Sequence, residues 1–256
     1  MAKVFSHAIV RKPAKNMVNG LSEAGLGRPD YDLARSQHAV YVDALEACGL
    51  KVTILPADEA FPDSTFVEDV ALISPRCAVI TRPGAPTRRG ETIEMKQILQ
   101  RIYTTVEEIS APGNLDAGDI MMVGDHYYIG LSERTNPEGA HQMIQILERY
   151  GMSGSTLTLN DVLHLKTGVA YLENNNLVVC GEFRDKPEFA HFDKIVIPEH
   201  EVYAANCIWV NGQVIMPAGY PESKQAIASA GYPVIEVDMS EFQKLDGGVS
   251  CLSLRF

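Results

Sequence analysis

The chain has 256 residues and a formal net charge of −11, from 22 basic and 33 acidic side chains. That balance argues against a nucleic-acid partner and favours small cationic ones. With 46% hydrophobic and 21% charged residues, no apolar run of membrane-spanning length and no signal-like apolar core after Met1, the composition predicts a globular protein of the cytoplasm without membrane contact.

The first predicted elements are a strand over residues 4–10, a helix over 36–48 and a strand over 51–55. A repeating pattern follows. Residues 70–73 and 77–80 read as a hairpin around Ser74-Pro75-Arg76, leading to a helix over 92–103 and a strand over 106–109. Residues 120–123 and 126–129 form the next hairpin, around Gly124-Asp125. Its helix opens at Asn136-Pro137, a capping residue followed by a proline suited to a first turn, and its strand spans 156–159. A third hairpin pairs 169–172 with 177–179, followed by a short helix near 188–192 and a strand over 194–197. The fourth, 207–210 with 213–216, turns through Asn211-Gly212, the pair favoured in tight hairpins. A helix over 223–230 and a strand over 234–237 complete it.

The unit is therefore hairpin, helix, strand, repeated four times across residues 66–238. The N-terminal segment supplies a fifth unit lacking one strand, and residues 249–255 are the candidate for it. Closure of the first unit by the last strand would remove an exposed sheet edge. The prediction is one α/β domain over 1–256, a closed ring of five ββαβ units with loops gathered at a central cavity.

Such a ring decides where chemistry can gather. Cys251 follows Gly247-Gly248, where glycines permit a sharp turn and close approach. Most cysteines are core filler, and Cys48, Cys77, Cys180 and Cys207 read that way; Cys251 is the candidate nucleophile. Five scattered cysteines without framework spacing suit free thiols in a reducing compartment. A thiolate needs a proton shuttle, and His164, in a Gly-terminated loop before a strand, stands out among seven histidines. Carboxylates cluster at equivalent places in two repeats: Asp63, Glu68 and Asp69 before one hairpin, Asp116 and Asp119 before the next. Buried carboxylates require a cation or donors, and a planar guanidinium satisfies them with paired hydrogen bonds. Arg88 and Arg134 lie in loops, Arg134 just before a helix start; they suit either structural ion pairs or the carboxylate of a zwitterionic amino acid. No Walker loop, dinucleotide-binding glycine pattern or zinc spacing is present, so no cofactor and no metal is inferred.

Taken together, Phe66-Val67-Glu68-Asp69-Val70, Ile80-Thr81-Arg82-Pro83-Gly84-Ala85-Pro86, Asp116-Ala117-Gly118-Asp119, Leu163-His164-Leu165-Lys166-Thr167-Gly168, Ala205-Asn206-Cys207 and Gly247-Gly248-Val249-Ser250-Cys251 make the chain resemble the dimethylarginine dimethylaminohydrolases, closest to bacterial members. These belong to the guanidino-group modifying, or pentein, superfamily. The resemblance runs from the Gly20-Leu21 loop to Phe256. It implies a five-bladed α/β propeller and hydrolysis of Nω-methylated arginine to citrulline and a methylamine through a covalent thiouronium. It also implies Cys251 as nucleophile, His164 as general acid/base, and Asp116, which is Glu in some relatives, as the carboxylate that positions His164 or binds substrate. Asp63, Phe66, Glu68 and Asp69 would surround the guanidinium, Arg88 and Arg134 would hold the substrate carboxylate, and backbone groups of Leu21 and Leu245 would contact its amino group. Residues 16–30 would form a lid. Arginine deiminase, amidino transfer and a non-catalytic guanidine-binding module remain open, as do monomer and homodimer.

Overall fold

The computed structural model describes residues 5–256, so the predicted start of the first strand at Val4 lies outside the described residues. Five three-stranded sheets follow one plan. Each has an inner strand antiparallel to a middle strand, and an outer strand parallel to the middle one. The inner–middle–outer sets are β3 (Ala71–Ile73), β4 (Ala78–Ile80) and β5 (Val106–Glu108); β6 (Ile120–Val123), β7 (His126–Leu131) and β8 (Ser153–Thr158); β9 (Val169–Tyr171), β10 (Asn176–Val179) and β11 (Asp193–Val196); and β12 (Ile208–Val210), β13 (Gln213–Pro217) and β14 (Val234–Val237). The remaining sheet joins the ends of the chain. In it β15 (Leu254–Arg255) is antiparallel to β1 (His7–Arg11), which is parallel to β2 (Lys51–Leu55). Residues of all five inner strands line one central channel, the geometry of a five-bladed ring.

Antiparallel neighbours are joined by tight turns. In the β12–β13 turn Asn211 and Gly212 take φ of 50° and 92°, the left-handed pair such a turn requires. Parallel neighbours need a crossover, supplied by helices α1 (Tyr31–Ala47), α2 (Thr92–Leu99), α3 (Pro137–Arg149) and, in the last full unit, a Pro-initiated helix over Pro221–Ser229. α1 begins five residues before the predicted helix because Asp30 caps it, accepting from Leu33 N. α3 starts where predicted, with Asn136 accepting from Gly139 N.

Three expectations are corrected. No α-helix covers 188–192; two 3-10 turns, Gly181–Arg184 and Pro187–Phe189, make that crossover, and Phe183, Phe189 and Phe192 fill the space beside it. β8 begins at Ser153 rather than residue 156 because His126, the first residue of β7, pairs with Ser153 and the two strands run paired along their whole length. The predicted strand over 249–255 survives only as β15; Ser250–Leu252 form a 3-10 turn that carries Cys251.

Candidate active site

Site residues stand immediately before the inner strands. Glu68 and Asp69 precede β3, Asp116 and Asp119 precede β6, His164 precedes β9 through a one-turn helix (Leu165–Gly168), Asn206 precedes β12, and Cys251 precedes β15. The ring brings these loop positions to one end of the central axis. There Leu21, Asp63, Phe66, Asp69, Arg88, Arg134, His164, Leu245 and Cys251 line a cavity of about 150 Å³.

Cys251 is 8% exposed, and its Sγ accepts from Gly248 N at 3.3 Å. Its carbonyl accepts from Glu68 N, and Ser250 N donates to Asn206 Oδ1 at 2.9 Å, fixing the turn from two sides. The preceding glycines serve close approach rather than unusual backbone angles. A Cβ on Gly247 would lie 2.2 Å from the Phe66 ring, and one on Gly248 2.3 Å from Asn206. The left-handed residue of the segment is Asp246, with φ of 56°. Burial, with the charges of Glu68 and Asp69, pushes the Cys251 thiol up to about 12.

His164 Nε2 lies 3.1 Å from Asp116 Oδ2, and Nδ1 lies 4.0 Å from Asp69 Oδ1. Asp116 is fully buried; its other oxygen accepts from Gly84 N at 2.8 Å. Burial opposes the imidazolium, but Asp69, the hydrogen bond to Asp116 and the charge of Asp119 outweigh it and push His164 up to about 9. Asp69 is buried too; the charges of His164, Arg88 and Lys166 overcome that burial and hold its carboxyl below the ordinary range. Burial raises Asp63, whose Oδ1 accepts from Leu21 N at 3.0 Å. That bond uses the Leu21 amide, so the backbone group Leu21 has left for a ligand is its carbonyl.

The two predicted arginines differ. Arg88 is 5% exposed and bonds Asp69 Oδ2 at 2.6 Å, both oxygens of Glu91 and the carbonyl of Phe66. It lines the cavity, but most of its donors are engaged by the protein. Arg134 is half-buried and its guanidinium makes no hydrogen bond or ion pair within the described residues. Glu68 stands behind the cavity, in the wall shared with the central channel, where Oε1 pairs with Lys166 Nζ at 2.6 Å and Oε2 accepts from Ser250 Oγ at 2.8 Å.

Over the cavity mouth, Ser22 Oγ donates to Lys244 O and Glu23 N to Asp246 Oδ2, each at 2.6 Å. Asp246, Glu91 and Lys166 were not among the predicted site residues. Glu91, three positions after Arg88, and the Asp-Gly-Gly run at 246–248 are the sequence signals that point to two of them.

Asp69, Asp116 and His164 offer three ligand atoms within 4.8 Å of one another. Both carboxylates are already engaged, by Arg88 and Gly118 N in one case and by Gly84 N and His164 in the other. The arrangement is that of an acid–base relay, with an imidazole held by one carboxylate and charged by its neighbours. Among the described residues no helix is long and apolar enough to cross a membrane.

A family model described as "N,N dimethylarginine dimethylhydrolase, eukaryotic" matches residues 30–188. The chain is 61% identical over 254 residues to the N(G),N(G)-dimethylarginine dimethylaminohydrolase of Pseudomonas aeruginosa, covering 99% of this chain and all of that one. A solved structure of the Pseudomonas aeruginosa enzyme, a cysteine-to-serine variant complexed with citrulline, superposes with a TM-score of 0.98 at 60% identity, over 99% of this chain and 100% of that one. A histidine-to-glycine dimethylarginine dimethylaminohydrolase carrying an adduct with S-methyl-L-thiocitrulline gives the same TM-score, 0.98, at 61% identity, over 99% of this chain and 100% of that one. With a fold and a likeness that extend over nearly its whole length, the chain belongs to the dimethylarginine dimethylaminohydrolase family.

Proposed function

We propose that this protein hydrolyses Nω-methylated L-arginines, asymmetric dimethylarginine and monomethylarginine, to L-citrulline and dimethylamine or methylamine, with the chain acting as one catalytic domain. The observation that carries this reading is that a thiol, an imidazole and two carboxylates line the same cavity as an unpaired guanidinium. Citrulline and S-methyl-L-thiocitrulline in the solved relatives support it.

The substrate guanidinium lies between Asp63 and Asp69, while Arg134, with Arg88 beside it, receives the α-carboxylate. Carbonyls of Leu21 and Leu245 accept from the α-ammonium. Two carboxylates hold the flat cation in one orientation, which makes attack effectively intramolecular. In the empty site Cys251 is a thiol, because burial and two neighbouring carboxylates oppose its ionisation. A cation bound against those carboxylates reverses that bias, and the proton leaves to solvent. The thiolate attacks the guanidinium carbon and forms a C–S bond. His164, held at Nε2 by Asp116 and carrying a proton at neutral pH, protonates the departing amine as the C–N bond breaks. The S-linked thiouronium remains. Neutral His164 then takes a proton from water, hydroxide adds to the same carbon, and cleavage of the C–S bond releases citrulline, whose ureido oxygen comes from water.

The five free cysteines support a reducing, cytoplasmic setting. The deciding experiment is a rapid acid quench with dimethylarginine followed by peptide mass spectrometry. The expected result is an adduct on the Cys251 peptide together with citrulline and dimethylamine. Ammonia from unmethylated arginine, amidination of an added amine, or binding without any adduct would overturn the reading.

A further inference from the structure

Asp119 does not line the cavity, yet it holds two of the cavity's walls. It is fully buried, at the end of the 3-10 turn Ala117–Asp119. Its Oδ1 accepts from Leu165 N at 2.9 Å, the first amide after His164. Its Oδ2 accepts from Ser132 Oγ at 2.7 Å and Thr135 Oγ1 at 2.6 Å, the two hydroxyls that bracket Arg134. The bracket is tight. Ser132 Oγ accepts from the backbone N–H of Arg134 at 3.0 Å and of Thr135 at 3.1 Å, so the hydroxyl bonded to Asp119 also sets the backbone carrying the Arg134 side chain. Thr135 Oγ1 accepts in turn from Asp116 N at 3.2 Å, which returns the network to the partner of His164.

We propose that Asp119 is a positioning residue: one carboxylate fixes the loop that presents Arg134 and the turn that presents His164, and so sets the span between the substrate-carboxylate clamp and the proton-transfer group. This rests on the proposed hydrolysis of methylated arginine, in which that span must match the length of the substrate. A buried carboxylate must find donors somewhere, but a purely structural one has no reason to draw them from the immediate neighbours of two site residues on different blades. A displacement on the order of 1 Å at such a site costs roughly 100-fold in rate. The groups facing His164 are Asp69, Asp116 and Asp119, with Arg88 and Lys166 beyond Asp69, so Asp119 also contributes charge that favours the imidazolium.

Three variants separate the two arms. Asp119→Asn keeps the shape, an acceptor for Leu165 N and an amide that can donate to Thr135 Oγ1, but not to Ser132 Oγ, which already accepts twice. Asp119→Ala removes both arms, and Ser132→Ala loosens only the Arg134 side. In steady-state assays with dimethylarginine, Ser132→Ala is expected to raise KM about tenfold with kcat within threefold, and to lose no more than threefold in kcat/KM on an analogue lacking the α-carboxylate. Asp119→Ala is expected to raise KM and to lower kcat about 100-fold, and Asp119→Asn to recover at least tenfold of that. A ¹³C-histidine NMR titration, which needs no substrate, is expected to show His164 titrating at lower pH in Asp119→Asn. Equal KM and kcat in wild type and folded Asp119→Ala would overturn the proposal. So would equal losses for Ser132→Ala on both substrates, or an unmoved His164 titration. If wild-type protein fails to turn over dimethylarginine while the His164 titration moves as stated, the functional reading fails and the link from Asp119 to His164 stands.

Discussion

Lys166 Nζ and Glu68 Oε1 meet 2.6 Å apart in the wall between the Cys251 cavity and the central channel, with side chains 17% and 5% exposed. The pair lies directly behind Cys251, because Glu68 also bonds Cys251 through its backbone N–H and Ser250 through Oε2. Replacing Lys166 by Met leaves the Glu68 charge with Ser250 and a distant Arg255 guanidinium, 3.8 Å away. The expected loss is about 2 kcal/mol in urea unfolding, below the range for fully buried pairs because Lys166 keeps some solvent contact. The less compensated carboxylate also makes Cys251 harder to ionise, so alkylation by iodoacetamide at pH 8 should slow severalfold.

The two arginines of the cavity should fail differently. Arg134→Gln removes an unpaired cation and should raise KM at least 30-fold while leaving the thermal midpoint within about 2 °C. Arg88→Gln leaves Asp69 and Glu91 buried without their partner. The expected cost is about 3 kcal/mol or more in unfolding free energy, measured by chemical denaturation.

The pH profile of kcat/KM should have two limbs from opposite protonation needs. Cys251 must lose a proton, so activity rises with pH; His164 must carry one, so the rise stops and the profile levels as pH passes about 9, because in the free protein the thiol ionises above the imidazole. Without ligand, the thiolate absorbance near 240 nm that Cys251→Ser removes should develop only at strongly alkaline pH, since the free thiol sits near 12. A titration midpoint below 8.5 in the free protein would remove the need for substrate to assist ionisation.

The latch over the cavity rests on one strained residue. Asp246→Gly keeps the left-handed backbone but deletes the carboxylate that binds Glu23 N. The expected result is a three- to tenfold rise in KM and faster proteolysis across residues 22–28. Asp246→Asn, which retains an acceptor, should behave close to wild type in the proteolysis assay.

His38, on α1, is buried with Nε2 unbonded, and burial lowers its pKa from 6.5 to about 4. The unfolded chain therefore takes up a proton below pH 6.5 that the folded chain refuses until about pH 4. Stability is unaffected above pH 6.5 and declines through that window, by about 3 kcal/mol at its end. Urea midpoints at pH 7 and pH 4.5, with His38→Asn as a non-titrating control, measure the contribution.

Much of the fold is legible in the sequence because the inner and middle strands are short apolar runs joined by turns with definite chemistry. Asn211-Gly212 can hardly be anything other than a tight turn, and Asn136-Pro137 announces α3. The parts that escape are those where tertiary packing decides. Residues 180–192 carry no helical stripe because three phenylalanines, rather than a helix, cover that blade. Ser250–Leu252 alternate like a strand, yet Asn206 and Glu68 hold them in a turn. The candidate site is legible as residue types at equivalent loop positions, since a ring converts equivalent loops into neighbours. Which arginine is unpaired is not legible from the loops alone: Arg88 and Arg134 look alike until Glu91 and Asp69 close on the first.

Closure of the ring through Ala8–Arg255 and Ile9–Leu254 pairing carries a consequence for biosynthesis. Strand β1 waits for Leu254 and Arg255, so until those residues leave the ribosome tunnel it lacks a partner on one side. The sulfur of Cys251 lies three residues before that final pairing. It therefore enters its cavity only once residues 7–250 have been made, and no shorter chain exposes the assembled thiol and its carboxylates to stray electrophiles.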